Sequence, residues 1–453
     1  MKLHMAVAFF AWLLTACAPL VSTAGARMPV QLAKPGERLV VYIPSEGIGM
    51  IAVQVTLPQS ARYSEGAGVV VEVQTFATLG NGLASTNDFS SLGLIHLTYL
   101  NPGQISNGIS SEGTNDYGGP LSIQVLRDVI RYASGETADR DGYRLSERSM
   151  VKPLSGELGL FAFSHPGIAA VNVLALYGNQ IQVQYLVGRE NPTVDTLTAV
   201  EAGYWDEQNH AVLNPLYRYP QNYTAKSLDV DYSTIRWDGF YRDNQSIGRP
   251  YFDLNKNGKR DESDFVLGSR IPTMFGKRVY SAALTRALAD NGALSLANWP
   301  ADLATPSESA EWWQYRSSTE RYVALATMEP NLKTMLVFNQ HDHVQPAADK
   351  PHIHQAYSGL RAAALWVRLN PDSAYLTLYN PKLAASYTEH TANSEPSNWL
   401  DVEKWAYPNL AGADQIASLA AVAEMADRMH FNQWVANLDQ VLSSYPVPQK
   451  PTK

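Results

Sequence analysis

Leu158-Gly-Leu-Phe-Ala-Phe-Ser164-His-Pro-Gly-Ile-Ala-Ala-Val-Asn-Val-Leu-Ala-Leu176 is the stretch on which the fold turns. Leu158 to Phe163 is a short apolar run of buried-strand length, and Ile168 to Leu176 is an Ala- and Leu-rich run that reads as helix. Ser164 therefore falls on the turn between them. A strand-to-helix turn this sharp lifts a hydroxyl above the carboxyl edge of a parallel sheet and leaves backbone N–H groups at a helix N-terminus, where they favour negative charge. Ala162, two residues before the serine, is small enough for strand and helix to approach. Pro166 disfavours α geometry at His165 but is well tolerated in a first helical turn.

Outward from this stretch, the chain supplies the strands and helices of an α/β domain. Arg38–Ile43 and Met50–Leu57 read as a strand hairpin, and Ala67–Gln74 as the first central strand. Leu94–Leu100 is a further strand and Leu121–Tyr132 an amphipathic helix with 3 and 4 spacing. Gln180–Val187 follows the serine helix as another strand. Leu332–Gln340 resumes the pattern, with an apolar helix running to Leu360 and a last strand at Leu365–Leu369. Residues 415 to 443 read as a helical tail. Apolar runs of this kind imply a mostly parallel sheet covered on both faces. From about Gly188 to about Thr327 the chain turns rich in Tyr, Trp, Asn and Asp with weak periodicity, and this block reads as an insertion between two sheet strands. The expected organisation is a leader at 1–16, a tether at 17–36, core at 37–188, insertion (lid or cap) at 189–328, and core with its C-terminal helix at 329–445.

Composition bounds the partners. The 453 residues are 17% charged and 45% hydrophobic, ordinary for a folded protein. A net charge of -8 without any run of Lys or Arg excludes nucleic acid as the expected partner. The 24 Tyr and 10 Trp suit an aromatic-lined cleft or an aromatic-rich core equally. Lys2 and His4, apolar Ala6–Leu14 and then Leu14-Thr15-Ala16-Cys17 match an export signal too short to span a membrane. Leu-Thr-Ala-Cys resembles the lipobox of bacterial lipoproteins, which implies lipidation of Cys17 and an exported protein anchored to the cell envelope. A plain signal peptide cut nearby is the alternative. Cys17 is the only cysteine, so no disulfide can form within one chain.

Inside the insertion, Asp253-Leu-Asn255-Lys-Asn257-Gly258-Lys259-Arg-Asp261-Glu-Ser-Asp264 places oxygen side chains at positions 1, 3, 5, 9 and 12 around a glycine at 6. That is the Ca²⁺ loop spacing of an EF-hand, with the carbonyl of Lys259 at position 7. Aspartate at position 12 is shorter than the usual glutamate and resembles the dockerin-type and prokaryotic variants. No flanking helix pair is evident. Asp253, Asn255, Asn257, Lys259, Asp261 and Asp264 are the expected ligands of a structural calcium ion, with an Asx-rich surface turn as the alternative.

The serine turn, followed by His341-Asp342-His343 after a late strand, resembles the α/β-hydrolase superfamily. Its G-x-S-x-G pattern reads Ala162-Phe163-Ser164-His165-Pro166 here, with Gly167 one place further on. The resemblance covers about residues 38–188 and 330–400. It implies an α/β-hydrolase fold and a serine hydrolase acting on an ester or related acyl bond of a small or polymer-derived substrate. Ser164 would be the nucleophile and Asp342 the acid, preferred over Asp372 and Asp349. His390, in a polar loop beyond the last strand, would be the base. His430 sits on an Ala-rich helix and is the weaker candidate; His352 and His354 come before the last strand, too early for the pattern. The N–H of His165 and one from the Thr75–Ala77 loop, at Phe76, would bind the oxyanion, with the His165 side chain lining the pocket. A prolyl-oligopeptidase-like peptidase and a non-catalytic surface binding protein on the same fold remain the alternatives.

Overall fold

The computed structural model describes residues 30–74, 82–85, 87–218, 229–242, 247–385, 396, 399, 402, 405–435 and 441–443. In chain order the elements that position the site begin with β1 (Arg38–Ser45), β2 (Gly49–Thr56), β3 (Ala67–Glu72), β4 (Ile95–Tyr99) and α1 (Pro120–Ala133). The serine turn joins β5 (Pro153–Phe163) to α2 (Pro166–Tyr177), and β6 (Tyr185–Arg189) follows. The insertion then contributes β7 (Gly203–Trp205), β8 (Ala211–Leu213), β9 (Ile235–Arg242), β10 (Ile247–Phe252), β11 (Phe265–Val266), α3 (Ala282–Asp290) and α4 (Pro306–Trp313). The chain closes with α5 (Tyr322–Met328), β12 (Lys333–Val337), α6 (Pro351–Ala362), β13 (Trp366–Leu369), α7 (Ser373–Tyr379) and α8 (Ala413–His430).

Eight of these strands form one sheet in the order β1-β2-β4-β3-β5-β6-β12-β13. β1, β2 and β4 pair antiparallel; from β4 to β13 every pairing is parallel. This is the α/β-hydrolase fold. Alternation along the central strands divides the core in two. Val69, Val71, Leu160, Ala162, Leu186 and Leu336 pack under α1, α2 and α6, while Val70, Phe161, Val187, Met335 and Val337 pack under α7 and α8. Because both faces are covered, the strands are apolar throughout rather than alternating with polar residues. α2 is correspondingly buried nearly all round, which explains its lack of a polar face.

Three expected boundaries move. The strand expected at 180–187 begins only at Tyr185, since residues 178–180 form a short 3-10 turn. The helical tail ends at His430 rather than 443, with Asn432 in the left-handed region just beyond it. The block after β6 is more ordered than its weak periodicity suggests. It builds a three-stranded antiparallel sheet, β9-β10-β11, around a core of its own that includes Tyr217, Phe252, Phe265, Tyr280, Leu284 and Leu303. Its last segment, α5, belongs instead to the layer over the main sheet, where Tyr322 and Leu325 join the core under α1, α2 and α6. No helix among the described residues is long and apolar enough to cross a membrane.

Candidate active site

Ser164 has φ +63°, a left-handed conformation that a side-chain-bearing residue adopts only where its surroundings impose it. The surroundings here are specific. Asn191, just past β6, donates from Nδ2 to the carbonyls of Ser164, Ala162 and Arg189 at 2.9, 3.2 and 3.0 Å. The Ser164 N–H donates to the Arg189 carbonyl at 2.8 Å. Asn191 needs room to do this, and two glycines leave it. A Cβ on Gly167 would stand 2.1 Å from Asn191 Cγ, and one on Gly188 would stand 2.1 Å from its Oδ1. Pro166 occupies the first position of α2, as expected, and His165 precedes it, so that its backbone sits at the helix N-terminus beside the serine.

The Ser164 hydroxyl meets a histidine that sequence reasoning did not select. Oγ lies 2.9 Å from Nε2 of His343, whose ring packs 4.8 Å from that of Phe163. Burial is the main influence on this imidazole and lowers its pKa below the ordinary value; the Asp342 carboxylate opposes that effect, and His352 and Arg189 add to it. The neutral base is thereby favoured. Asp342 Oδ1 stands 3.8 Å from His343 Nδ1, just outside hydrogen-bond reach, and Nδ1 has no partner among the described residues. His390 and the Phe76 loop lie outside the described residues, as does Cys17.

The other candidates separate cleanly. Asp342 is buried with 2% exposure, and its Oδ1 accepts from the N–H groups of Val344 and Gln345 at 2.6 and 2.5 Å. Asp372 caps α7 through Ala374 N–H and lies 3.4 Å from Arg368, a structural role. His430 stacks on Tyr63 at 3.6 Å and pairs with Glu157 at 2.9 Å, near the start of β5. Ser164 is beyond the other end of that strand, so His430 cannot serve as base. His354 stacks on Trp399. His352 and Glu190 are additions: with Asp342 they form a buried group whose oxygen and nitrogen atoms lie within 4.8 Å of one another. Glu190 in Gly188-Arg-Glu-Asn191 carried no motif, and His352 was set aside on chain order alone.

A narrow cavity of about 40 Å³ joins these groups, lined by Ser164, His165, His343, Glu190, Asp342 and His352 on its polar side and by Pro192, Leu197 and Val344 on its apolar side. The His165 side chain lines it, as expected, and burial followed by the neighbouring His343 lowers its pKa to about 3, so the ring is neutral at every physiological pH. Two insertion side chains fasten the loop that carries Asp342 and His343. Trp205 Nε1 donates to the Asp342 carbonyl at 2.6 Å while its indole stacks on His341, and Arg270 donates to the His343 carbonyl at 2.8 Å.

The EF-hand-like segment spans the turn between β10 and β11, so strands flank it rather than helices. Asp253 is buried, and its two oxygens accept from Asn257 and Gly258 N–H at 3.1 and 2.9 Å. Asp264 accepts from Leu254 and Asp261 N–H. Gly258 has φ +76° with open space where a Cβ would be, so glycine is needed there for backbone conformation alone. Asn255 and Asn257 both turn their amide groups toward Asp261 Oδ2, at 2.8 and 2.7 Å. A half-turn of each amide exchanges nitrogen for oxygen, so these donors suit a hard cation. Hydrogen bonds from Ser263 first, and then Asn255, hold the Asp261 carboxyl below its ordinary range.

No protein-family model and no curated protein matches the chain. Among solved structures it is similar to dipeptidyl peptidase 4 of Porphyromonas gingivalis, at 7% identity and a TM-score of 0.35, covering 74% of this chain and 31% of that one. It is similar to the acylaminoacyl peptidase of Pyrococcus horikoshii at 9% identity and a TM-score of 0.34, covering 74% and 36%. A hyperthermophilic esterase from the archaeon Pyrobaculum calidifontis gives 14% identity and a TM-score of 0.25 over 40% of this chain and 52% of that one. The chain thus spans from under a third to about half the length of these proteins. Likenesses this low carry no argument about activity, and the assignment of fold rests on the strand order and the serine turn described above.

Proposed function

We propose that this protein is a serine hydrolase that cleaves an ester or related acyl bond through an acyl-enzyme. One observation carries the reading: a serine held in the left-handed conformation at a strand–helix turn, with its Oγ 2.9 Å from an imidazole Nε2. Ser164 Oγ attacks the acyl carbon as its proton passes to His343 Nε2. The negative charge moves to the carbonyl oxygen, at the N-terminus of α2 beside the N–H of His165. When the intermediate collapses, the bond to the leaving alcohol breaks and the alcohol takes the proton from Nε2. Water then attacks the acyl-enzyme with His343 again as base, releasing the acid and restoring Ser164. Asp342 stabilises the imidazolium that forms each time. Pro192, Leu197 and Val344 give the cavity an apolar wall suited to a short acyl chain.

A second reading keeps Ser164 and Asp342 and gives the base to His390. It is favoured by the 3.8 Å separation of Asp342 from His343 Nδ1, which leaves the acid without the hydrogen bond it makes in a triad. Labelling with a fluorophosphonate probe decides between them. Labelling of the wild type, lost in Ser164→Ala and His343→Ala and kept in His390→Ala, is the expected result; loss in His390→Ala with retention in His343→Ala selects the second reading. An unlabelled wild type would leave the non-catalytic binding protein. Cleavage of aminoacyl but not acyl-ester reporters would mark a peptidase.

Two attributes belong to the same proposal. Calcium held by the 253–264 loop stiffens the insertion, supported by the self-bonded loop and its oxygen donors. Export with a lipid anchor at Cys17 rests on the sequence, and Cys17→Ser should move the protein from the membrane to the soluble fraction.

A further inference from the structure

We infer that Glu190 and His352 are positioning residues for this site, holding the Asp342 carboxylate through Oδ2 so that its Oδ1 is presented toward His343. The inference rests on the serine hydrolase reading and adds two residues to it. Nε2 of His352 stands 3.3 Å from Asp342 Oδ2 and 3.2 Å from Glu190 Oε2, and all three residues are at most 4% exposed. Glu190 is itself fixed at both ends: it has φ +48°, its N–H donates to the Val337 carbonyl at 3.0 Å, and its Oε1 accepts from Asn339 N–H at 2.6 Å. The cluster therefore ties the end of β6 to the loop after β12, across the seam where the insertion interrupts the sheet.

The charge states follow from the donors. Two carboxylates this close and this deep cannot both ionise beside a single imidazolium without leaving one buried charge uncompensated. Asp342 has two backbone N–H donors on Oδ1 and the imidazole on Oδ2, whereas Glu190 has one backbone donor besides the imidazole. Asp342 keeps the charge and Glu190 keeps the proton. The directions agree. Burial and then Asp342 push Glu190 up to about 8. Burial opposes protonation of His352, but Asp342 and then Glu190 outweigh it and raise it to about 9. In this state the cluster is neutral overall, and the imidazole holds Asp342 at Oδ2, the oxygen turned away from His343.

A neutral Glu190 makes a specific demand: glutamine should replace it and alanine should not. The test compares hydrolysis of p-nitrophenyl acetate by Ser164→Ala, Glu190→Gln, Glu190→Ala, His352→Gln and His352→Leu, with cooperative melting as the check on folding. Glu190→Gln should keep kcat within about twofold, and Glu190→Ala and His352→Leu should lower kcat about 10- to 100-fold at little-changed KM, as loss of a group that orients a site residue does. His352→Gln, which retains a donor toward Asp342, should recover part of the loss suffered by His352→Leu. Loss of kcat in Glu190→Gln equal to that in His352→Leu would overturn the neutral carboxyl. Wild-type kcat in both Glu190→Ala and His352→Leu, with Ser164→Ala silent, would overturn the inference and leave the hydrolase standing. One equivalent of a transition metal in the wild type, lost in Glu190→Gln, would also overturn it. A wild type inert to both ester and fluorophosphonate would sink the hydrolase reading, and this inference with it.

Discussion

Trp205 and Asp342, 137 residues apart, are joined by an indole N–H to carbonyl hydrogen bond of 2.6 Å. The first belongs to the insertion and the second to the loop after β12, so a segment outside the hydrolase sheet sets the backbone that presents His343 to Ser164. Arg270 makes the second such tie. Trp205→Phe keeps most of the stacking on His341 and removes the hydrogen bond. It should lower fluorophosphonate labelling about 10-fold, since displacements of an ångström at a reacting group carry penalties of up to about 100-fold. Its melting temperature should stay within a few degrees of the wild type. An unchanged labelling rate would show that the insertion does not hold the loop.

The serine turn depends on the space that Gly167 leaves for Asn191. Gly167→Ala should displace the Asn191 amide and relax the left-handed Ser164, reducing labelling by at least about 10-fold. Asn191→Ala should cost about 1–3 kcal/mol of stability through the loss of its hydrogen bonds to the Ser164, Ala162 and Arg189 carbonyls, read as a drop in denaturant midpoint. Full labelling in both variants would mean that Ser164 holds its conformation without them.

Burial lowers the pKa of His343, and the proposed reaction requires the neutral imidazole. As pH falls, labelling should therefore hold until below 6.5, the ordinary histidine value, before protonation removes the base. The labelling rate from pH 4.5 to 8 checks this. A midpoint above 6.5 would place the base in a more exposed or more acidic setting than His343 occupies.

Glu201 is buried in the insertion, and burial raises its carboxyl to about 8 against hydrogen bonds from Tyr232 and Ser281. A carboxyl raised in the folded state is protonated there while its unfolded counterpart ionises near 4.5. Its stability contribution is complete below 4.5 and is lost as pH rises toward 8. Glu201→Gln should remove this part of the slope, a change of up to a few kcal/mol at pH 8. Parallel unfolding curves for wild type and variant between pH 5 and 8 would contradict it.

Calcium should raise the melting temperature of protein previously treated with chelator, by the equivalent of about 2.7 kcal/mol at a hundred times the dissociation constant. Asp261 is exposed, so Asp261→Ala should leave the apo protein intact and remove most of that increment. Equal increments in wild type and variant would place any calcium elsewhere.

The main sheet's strands, the position of Ser164 on its turn, the helix after it and the interruption after β6 are legible before folding, because each is written in local periodicity and in the residues a turn tolerates. The sequence also marked the 253–264 loop, where spacing within 12 residues carries the whole signal. What meets the serine depends on contacts made in three dimensions. Chain order pointed to His390, which lies outside the described residues; among the described ones the contact at Oγ comes from His343, brought there by the loop after β12 and fastened by Trp205 and Arg270. Glu190 and His352 were illegible for the same physical reason. Their contacts span about 3 Å between residues separated by up to 162 positions, and no local pattern encodes a contact that exists only once the strands have paired.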